Sequence, residues 1–481
     1  MSDYKVFVQR IGLIGITNIL IAISSIIILP ILTKNLSIDD YGIYIQLSVT
    51  IFLISNLVTL GLPYAMVRFL AASKEKNEIQ EGFYSIIFIV LIPTLIIAFL
   101  LFISSQFIAN LLFNGNTIIT NILSVIIIIV SLNNLFLSYF RTFQQIKKYS
   151  FIMFLQAYLN VFLISYFALY RYGILGITIG LLITYIVTTL IMVLFIILNI
   201  GFKVPKFIHI KEYLSFSVPT IPSNLSYWIV DSSDRYIIGI LLGTSFVGYY
   251  SPGYSLGQII TMLFVPFSTL LPSVVSKYYD ENKNQELRTV LTYSLKIFLI
   301  FAIPSVVSIS LLSKPLLIIL TTPEIATNGY LVTPFVAISA LLTGIFGIYV
   351  LIIILKKKTK LIGVVWIIAA IFNLIFNITL VPYFGIIAAA FVTLIAYAIA
   401  FVIIFFYSSK YIKLDLNLGL KKIIISSILM AVFIVYTHPN GIINILLVMG
   451  ISFVIYMLLM ILLGGIKKDE LKFIKWIISR S

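Results

Sequence analysis

Long apolar runs, each near 20 residues and separated by short polar turns, recur along the whole chain of 481 residues. Since a helix needs about 20 apolar residues to cross a bilayer, this repeated pattern predicts a series of membrane-spanning helices. Apolar residues make up 61% of the sequence, well above the roughly 45 to 50% of an ordinary soluble domain. The sequence therefore excludes a soluble globule and predicts an all-α integral membrane protein.

Charged residues, Pro, Gly and Asn divide the apolar runs into 14 predicted spans. The fifth and sixth spans are separated only by a tight turn at 171–173, and the eleventh and twelfth only by one at 382–385. The predicted spans are 11–32, 42–67, 82–103, 118–139, 151–170, 173–199, 214–242, 247–275, 290–312, 333–355, 361–381, 385–406, 423–437 and 441–463.

Lys and Arg are distributed unevenly between the alternate loops of this plan. When the N-terminus is placed inside the cell, 27 of the 32 basic residues lie in cytoplasmic segments and three lie in outer loops. The remaining two, Arg235 and Lys296, fall within spans. Because basic residues are retained on the cytoplasmic side, we expect a multi-pass plasma membrane protein with both termini in the cytoplasm. The net charge of +16 then reflects the basic residues that set the membrane topology, and nucleic acid is not an expected partner.

The chain lacks cysteine, which excludes disulfides, thiolate nucleophiles and cysteine-based metal sites. It also lacks a P-loop and an HExxH motif, so nothing indicates ATP-driven transport or a zinc-dependent hydrolase. The two histidines, His209 and His438, fall in predicted loops. We therefore predict no cofactor, no metal and no catalytic residue, and the protein is not expected to be an enzyme.

Two pairs of similar segments indicate an internal duplication. Residues 172–185 read YGILGITIGLLITY and residues 384–397 read FGIIAAAFVTLIAY, while YGIY at 41–44 resembles VGYY at 247–250. The offsets of 212 and 206 residues both correspond to six spans. Since six is even, both copies would enter the bilayer from the same side, as a parallel repeat.

This repeat predicts three regions. Residues 1–202 would form one six-helix lobe, and 203–409 would form the second. Residues 410–481 would add two further spans and a basic tail, KKDELKFIKWIISR. The tail can place apolar residues on one helix face and basic residues opposite, a pattern typical of an interfacial helix on anionic lipid.

Three charged residues, Asp231, Asp234 and Arg235, lie in the seventh predicted span, after Pro219 and Pro222. Ionisable groups at membrane depth are costly and are therefore functional candidates. They could form a polar wall facing a central cavity, with unwound backbone near the prolines lining protein or water. Alternatively, Asp231 and Arg235, four residues apart, could neutralise each other on one helix face, with Asp234 fixing a neighbouring helix.

Three further basic residues are candidate contacts for an anionic head group. Lys296 lies about two turns inside the ninth predicted span, where it could instead snorkel to the cytoplasmic surface. Arg68 and Arg141 end the second and fourth predicted spans on the cytoplasmic side. They could simply anchor these helix ends, or they could stand at the inner mouth of a cavity, because a guanidinium suits phosphate.

Several segments, together with the 14-span plan, resemble one family over nearly the whole chain. They are NILIAISSIIILPILTKNLSIDDYGIYIQL, LGLPYAMVRFL and FSVPTIPSNLSYWIVDSSDRYIIGILLGTSFVGYYSPGYSL, in which DRYIIG followed by VGYYS is the most specific part. The resemblance is to the polysaccharide transporter family, the Wzx-type flippases of the multidrug/oligosaccharidyl-lipid/polysaccharide (MOP) superfamily.

The resemblance implies two six-helix lobes around a central cationic cavity that opens alternately to each side, as in the MATE-like fold. Among the candidates it points to Arg68, Asp231, Asp234 and Arg235. It also implies a flippase that moves a polyprenyl-(pyro)phosphate-linked oligosaccharide from the inner to the outer leaflet. The expected partners are this lipid-linked glycan and membrane lipids, and a coupling ion, H+ or Na+, stays open beside the membrane potential.

Two alternatives belong to other functional classes. A multidrug extruder of the same fold, driven by H+ or Na+, should bury an acid in its N-terminal lobe, yet the first six predicted spans contain no Asp or Glu. A membrane glycosyltransferase or polymerase would need acids on an outer loop. The best candidates there, Asp39 and Asp40, are interpreted as capping the second span.

Overall fold

The computed structural model describes residues 2–73, 75–415 and 419–465, with side chains from residue 12 onward. Within these ranges the chain is helical with short turns and contains no strand. The longer helices are Ser2–Asn35, Ile38–Val58, Lys76–Ile103, Thr117–Thr142, Ile146–Leu169, Gly173–Ile200, Ile221–Leu241, Thr244–Gln258, Val265–Asp280, Asn284–Leu311, Val332–Leu355, Thr359–Ser409, Leu420–Thr437 and Ile442–Leu462. The short helices are Leu62–Ala65, Ser105–Leu112, Ile210–Ser217, Ser313–Leu320 and Pro323–Gly329.

Twelve helices among the described residues are long and apolar enough to cross a membrane by length and composition. The all-α membrane fold is thus confirmed, while the predicted count of 14 is approximate. Two spans account for the difference. The charged helix Ile221–Leu241 falls outside the twelve, and the predicted spans 361–381 and 385–406 form one continuous element, Thr359–Ser409.

Gly385 breaks this long element into two spans. At 51 residues and about 1.5 Å per residue, a straight helix would be more than twice as long as the roughly 30 Å hydrocarbon core. The backbone leaves the helical region at Gly385, with φ 64° and ψ −152°. This region is essentially restricted to glycine, so the residue permits the reversal.

The second predicted span is shorter than expected. We predicted 42–67, but the helix ends at Val58, because Leu60 and Gly61 both adopt positive φ. A Cβ at Gly61 would lie 2.6 Å from the Thr220 hydroxyl oxygen, so glycine is also required sterically. The chain continues through Leu62–Ala65 into a π-helical turn, Met66–Leu70.

The third predicted span begins six residues early and contains acids. We predicted 82–103, whereas the helix Lys76–Ile103 includes Glu78 and Glu81. The expectation that the first six spans lack Asp and Glu is therefore wrong for the observed helix, which is longer than the predicted span. Glu81 is only 8% exposed, and its two carboxylate oxygens accept the Lys206 backbone N–H at 2.8 and 3.0 Å.

The same helix holds the segment that follows Ile200. The Gln80 amide donates to the carbonyl oxygen of Ile200, and the Tyr84 hydroxyl donates to the carbonyl oxygen of Gly201 at 2.5 Å. Glu81 adds its contact with Lys206 five residues further on. These contacts fix an irregular segment whose backbone groups would otherwise lack partners.

The chain folds into two compact units. One comprises Met1–Trp228 with Leu242–Gly248, and the other comprises Ile229–Leu241 with the chain from Tyr249 onward. Leu62, Phe83 and Tyr139 belong to a core of the first unit, and Phe298 and Tyr349 to the core of the second. The three regions predicted from the repeat stay a prediction, and the basic tail lies outside the described residues.

Candidate functional site

The helix that carries the charged cluster begins after a local break. Helix Ile210–Ser217 passes through a 3-10 turn, Val218–Thr220, into helix Ile221–Leu241. Pro219 and Pro222 lie at this junction, where proline's fixed φ and missing N–H are tolerated because first-turn N–H groups lack intrahelical acceptors. The unwound backbone expected near the prolines is thus one 3-10 turn. The charged residues follow within the second unit.

Arg235 pairs with its sequence neighbour. One guanidinium nitrogen, Nη1, donates to the Asp234 carboxylate at 2.7 Å and also to the backbone carbonyl of Asp231. The guanidinium carbon lies 3.7 Å from the ring centroid of Tyr254 and 5.5 Å from that of Tyr250. Cation–π attraction of this kind strengthens when the ion is desolvated, and Arg235 is only 8% exposed.

Asp234 is completely buried, with 0% exposure. Besides Arg235, its carboxylate accepts a hydrogen bond from the Tyr250 hydroxyl on the following helix, Thr244–Gln258. A buried charge must be both paired and hydrogen-bonded to be tolerated, and Asp234 meets both conditions. This contact matches the alternative in which Asp234 fixes a neighbouring helix.

The Asp231 carboxylate faces hydroxyl groups. It accepts from Tyr254 at 3.0 Å, from Tyr397 at 3.3 Å and from Ser232 at 3.0 Å. The alternative in which the Asp231 and Arg235 side chains pair is not observed, because the tyrosines bind this carboxylate while Arg235 bonds Asp234. The three charged residues sum to −1, whereas the family resemblance implies a cationic cavity.

Polar side chains of the same unit extend this network. The Gln258 amide donates to the Tyr254 hydroxyl at 2.9 Å. Ser233 donates to the Asn373 side-chain oxygen at 3.4 Å, and Asn377 donates to the same oxygen at 3.0 Å. These contacts tie the charged helix to Thr359–Ser409, so the amides act at least as interhelical hydrogen-bonding groups.

The other predicted residues lie elsewhere. Lys296, on helix Asn284–Leu311, is 6% exposed, and this burial does not fit snorkelling to the surface. Arg68 lies exposed on the π-helical turn, which packs against the helix of Arg141 within the first unit. Arg141 is exposed in the last turn of that helix and donates to the Ser138 hydroxyl at 3.0 Å.

Sequence reasoning missed the tyrosines that surround the charged residues. Tyr250 closes the VGYY motif and Tyr397 closes the second copy of the longer repeat, so both were visible as repeated residues. Tyr254 lies one helical turn after Tyr250 and shares its face. A tyrosine recurring at repeat positions beside an intramembrane acid was the signal available.

Two family models match the chain. The model of the polysaccharide biosynthesis protein family matches residues 7–278, more than half of the chain. The MatE model matches residues 219–379. The first match covers the charged helix and the VGYY motif, the segments on which the resemblance depends.

Two curated relatives come from Haloferax volcanii. The chain is 25% identical over 237 residues to the "Probable low-salt glycan biosynthesis flippase Agl15", which covers 49% of this chain and 50% of that protein. It is 29% identical over 168 residues to the "Probable flippase AglR", covering 34% of each. The alignments thus span half of the first relative's length and about a third of the second's.

Solved structures show the fold. The lipid II flippase MurJ in an inward closed conformation superposes with a TM-score of 0.76 at 20% identity, covering 94% of this chain and 98% of that one. An inward-facing multidrug resistance MATE transporter gives 0.65 at 18% identity, covering 81% and 93%. A MOP superfamily transporter from Pyrococcus furiosus gives 0.57 at 14% identity, covering 85% and 95%.

The predicted family is thereby confirmed, together with the multi-pass membrane architecture. The match over residues 7–278 and the MurJ-like and MATE-like fold agree with the segments that carried the resemblance. The chain belongs to the polysaccharide biosynthesis protein family.

Proposed function

We propose that this protein moves a polyprenyl-(pyro)phosphate-linked oligosaccharide from the cytoplasmic to the outer leaflet, by alternating access, for assembly of a cell-surface glycan. One observation supports it above the others: a member of the polysaccharide biosynthesis protein family carries a buried cluster of charges and tyrosines around the helix Ile221–Leu241. Ionisable residues kept at membrane depth mark substrate or ion pathways. The two Haloferax relatives, both named as probable flippases, agree with this function.

The cluster offers groups that suit a sugar. The half-buried Asp231 carboxylate and the Gln258 amide supply hydrogen-bonding groups, and the buried Tyr254 and Tyr397 hydroxyls hold the carboxylate in place. Binding sites for polar ligands use a few polar groups placed in this way. The Asp234 and Arg235 pair would keep the tyrosines in position.

Basic residues outside the cluster are the proposed contacts of the phosphate. Arg68 and Arg141 are exposed on neighbouring elements of the first unit, and a guanidinium matches phosphate geometry. Lys296 would add a buried ammonium in the second unit. In this proposal no covalent bond is made or broken, and the protein acts as a transporter in the plasma membrane, with both termini in the cytoplasm.

The membrane potential could supply the driving force. An anionic head group moving outward leaves a negative interior, and each elementary charge gains about 2.3 kcal/mol per 100 mV. A coupling cation, H+ or Na+, would add to this drive. Asp231 is the proposed residue for such an ion, because its carboxylate binds neutral hydroxyls whereas Asp234 pairs with Arg235.

An ion-coupled multidrug extruder is the second candidate. The MatE match to residues 219–379 favours it. The buried Glu81 removes one argument against it, although this acid lies near the start of its helix and accepts the backbone N–H of Lys206. An extruder should move organic cations and leave lipid-linked glycan in the inner leaflet.

The two functions can be separated in cells. The measurement is outer-leaflet exposure of lipid-linked glycan, by a membrane-impermeant glycan probe, in cells with and without the gene. We expect exposure to require the gene and to fall strongly in an Asp231→Asn variant, with Asp280→Asn as an exposed control. Unchanged exposure, with gene-dependent efflux of a cationic dye, would support the extruder instead.

A further inference from the structure

Four lysines cluster at the turn between helices Val332–Leu355 and Thr359–Ser409. Lys356, Lys357 and Lys358 are consecutive, and Lys360 follows in the first turn of the second helix. Lys357 adopts φ 57°, in a region that residues with a Cβ occupy infrequently. The turn is therefore tight, and it concentrates positive charge in five residues.

Tyrosines from two other segments hold these lysines. The Lys356 ammonium donates to the Tyr279 hydroxyl at 3.3 Å and lies 4.9 Å from the centroid of that ring. Lys358 donates to the Tyr411 hydroxyl at 2.6 Å and lies 5.1 Å from its ring centroid. Tyr279 belongs to helix Val265–Asp280, whereas Tyr411 follows Ser409.

These contacts define what we call the lysine–tyrosine patch, which also includes a further cation–π pair, Lys410 with Tyr407, at 4.8 Å. Its members are Tyr279, Lys356, Lys358, Tyr407, Lys410 and Tyr411. All lie in the second unit. The positive-inside rule accounts for lysines at this membrane face, but it requires no tyrosine to order them.

The charge of the patch is not balanced by the ion pairs seen in the described part of the chain. Other lysines of the second unit are neutralised: Glu281 pairs with Lys283 at 2.6 Å and with Lys277 at 3.9 Å. No patch lysine takes part in an ion pair among the described residues. Each tyrosine hydroxyl uses only one of the three donors of its lysine, so the ammonium groups keep donors for an anion.

The patch lies where lipid head groups would be. The hydrogen bond from Lys358 to Tyr411 brings the two ends of the element Thr359–Ser409 together, so Lys358 and Lys410 lie at the same face. Exposed apolar residues flank them: Ile354 is 46% exposed and Phe406 is 63% exposed. The ammonium groups therefore stand just beyond an apolar surface, as a head group stands beyond its acyl chains.

We propose that the lysine–tyrosine patch binds the phosphate head group of an anionic phospholipid in this leaflet. Lys356, Lys358 and Lys410 would contact phosphate oxygens, and the acyl chains would lie along Ile354 and Phe406. Inorganic phosphate has the same oxygens, but the adjoining apolar surface favours the lipid. Clustered lysines at a membrane face recognise anionic lipids in this way.

Native mass spectrometry of the purified protein in a neutral detergent tests this site. Dioleoylphosphatidylglycerol is titrated against dioleoylphosphatidylcholine, for the wild type and for a Lys356→Gln/Lys358→Gln variant. At about fivefold per removed charge, we expect phosphatidylglycerol to bind the variant about 25-fold more weakly. A single Lys358→Gln variant, at an exposed position, should show about fivefold and replaces the double variant if that one misfolds.

The matched control is Lys277→Gln/Lys283→Gln, which removes the same charge from the lysines that pair with Glu281. Its affinity should stay within about twofold of the wild type. Equal weakening in both double variants would show a bulk charge effect and overturn the proposal. So would a wild type that does not prefer phosphatidylglycerol, or one from which millimolar inorganic phosphate displaces the lipid completely.

Discussion

The buried pair of Asp234 and Arg235 should respond differently to losing one charge and to losing both. Asp234→Asn leaves the guanidinium in a site that is 8% exposed without its counter-charge. Removing one partner of a buried ion pair destabilises a protein by about 3 to 5 kcal/mol. We therefore expect this single variant to unfold at a clearly lower temperature and to accumulate less in membranes.

The double variant Asp234→Asn/Arg235→Gln removes both charges together. The double variant leaves no uncompensated buried charge and so avoids the largest penalty of the single variant, although the Arg235 stacking on Tyr254 is lost as well. That stacking is worth about 2 kcal/mol when desolvated. We expect the double variant to be destabilised by about 2 kcal/mol, less than the Asp234→Asn single variant.

The assay is thermal unfolding of purified protein in one detergent, read as the loss of the monodisperse size-exclusion peak after heating, with denaturant titration giving the free energy. Asp280→Asn is the control, because this exposed acid should change stability by no more than about 0.5 kcal/mol. A double variant as unstable as the sum of the two single variants would show that the charges do not stabilise each other, and would refute this reasoning.

Three further substitutions test local features of the fold. Glu81→Gln should speed hydrogen exchange of the Lys206 amide about tenfold or more, since hydrogen bonds to charged groups contribute about 1.5 to 3 kcal/mol. Unchanged protection of this amide would contradict the hydrogen bond between Lys206 and Glu81. Gly42→Ala should destabilise by about 1 to 3 kcal/mol through overpacking, because the added Cβ would lie 2.0 Å from a backbone oxygen. The control is Gly450→Ala, whose Cβ meets nothing within 4 Å. Thermal unfolding should show this control to be neutral or stabilising. Gly385→Ala should destabilise by about 1 to 3 kcal/mol through backbone strain, and a wild-type melting temperature would argue against the reversal there.

The membrane architecture was predictable because apolar run length alone determines whether a helix can cross a bilayer. Helix ends were less predictable. Local backbone geometry at Leu60 and Gly61 ended the second span early, and no hydropathy pattern encodes that break. Glu81 is tolerated inside the third span because its oxygens accept a backbone N–H from a segment more than 120 residues away, a contact that sequence spacing cannot reveal.

The charged residues of the seventh span were predictable as a group, but their pairing was not. Spacing favoured Asp231 with Arg235, since residues four apart share a helix face. The observed pairing depends on Tyr250, Tyr254 and Tyr397, which come from other segments. Tertiary packing places the tyrosine hydroxyls against Asp231, and Arg235 therefore binds Asp234. In the sequence, only the repeat motifs pointed to those tyrosines.

The most direct test of the proposed function is reconstitution of the purified protein into vesicles that contain a fluorescent polyprenyl-pyrophosphate-linked oligosaccharide. The measurement is movement of the labelled lipid between leaflets, read by a membrane-impermeant quencher, with an imposed potential and no H+ or Na+ gradient. We predict transfer that requires the protein, follows the potential and is lost in the Asp231→Asn variant. Vesicles in which the protein moves no lipid-linked glycan under either a potential or an ion gradient would contradict the proposal.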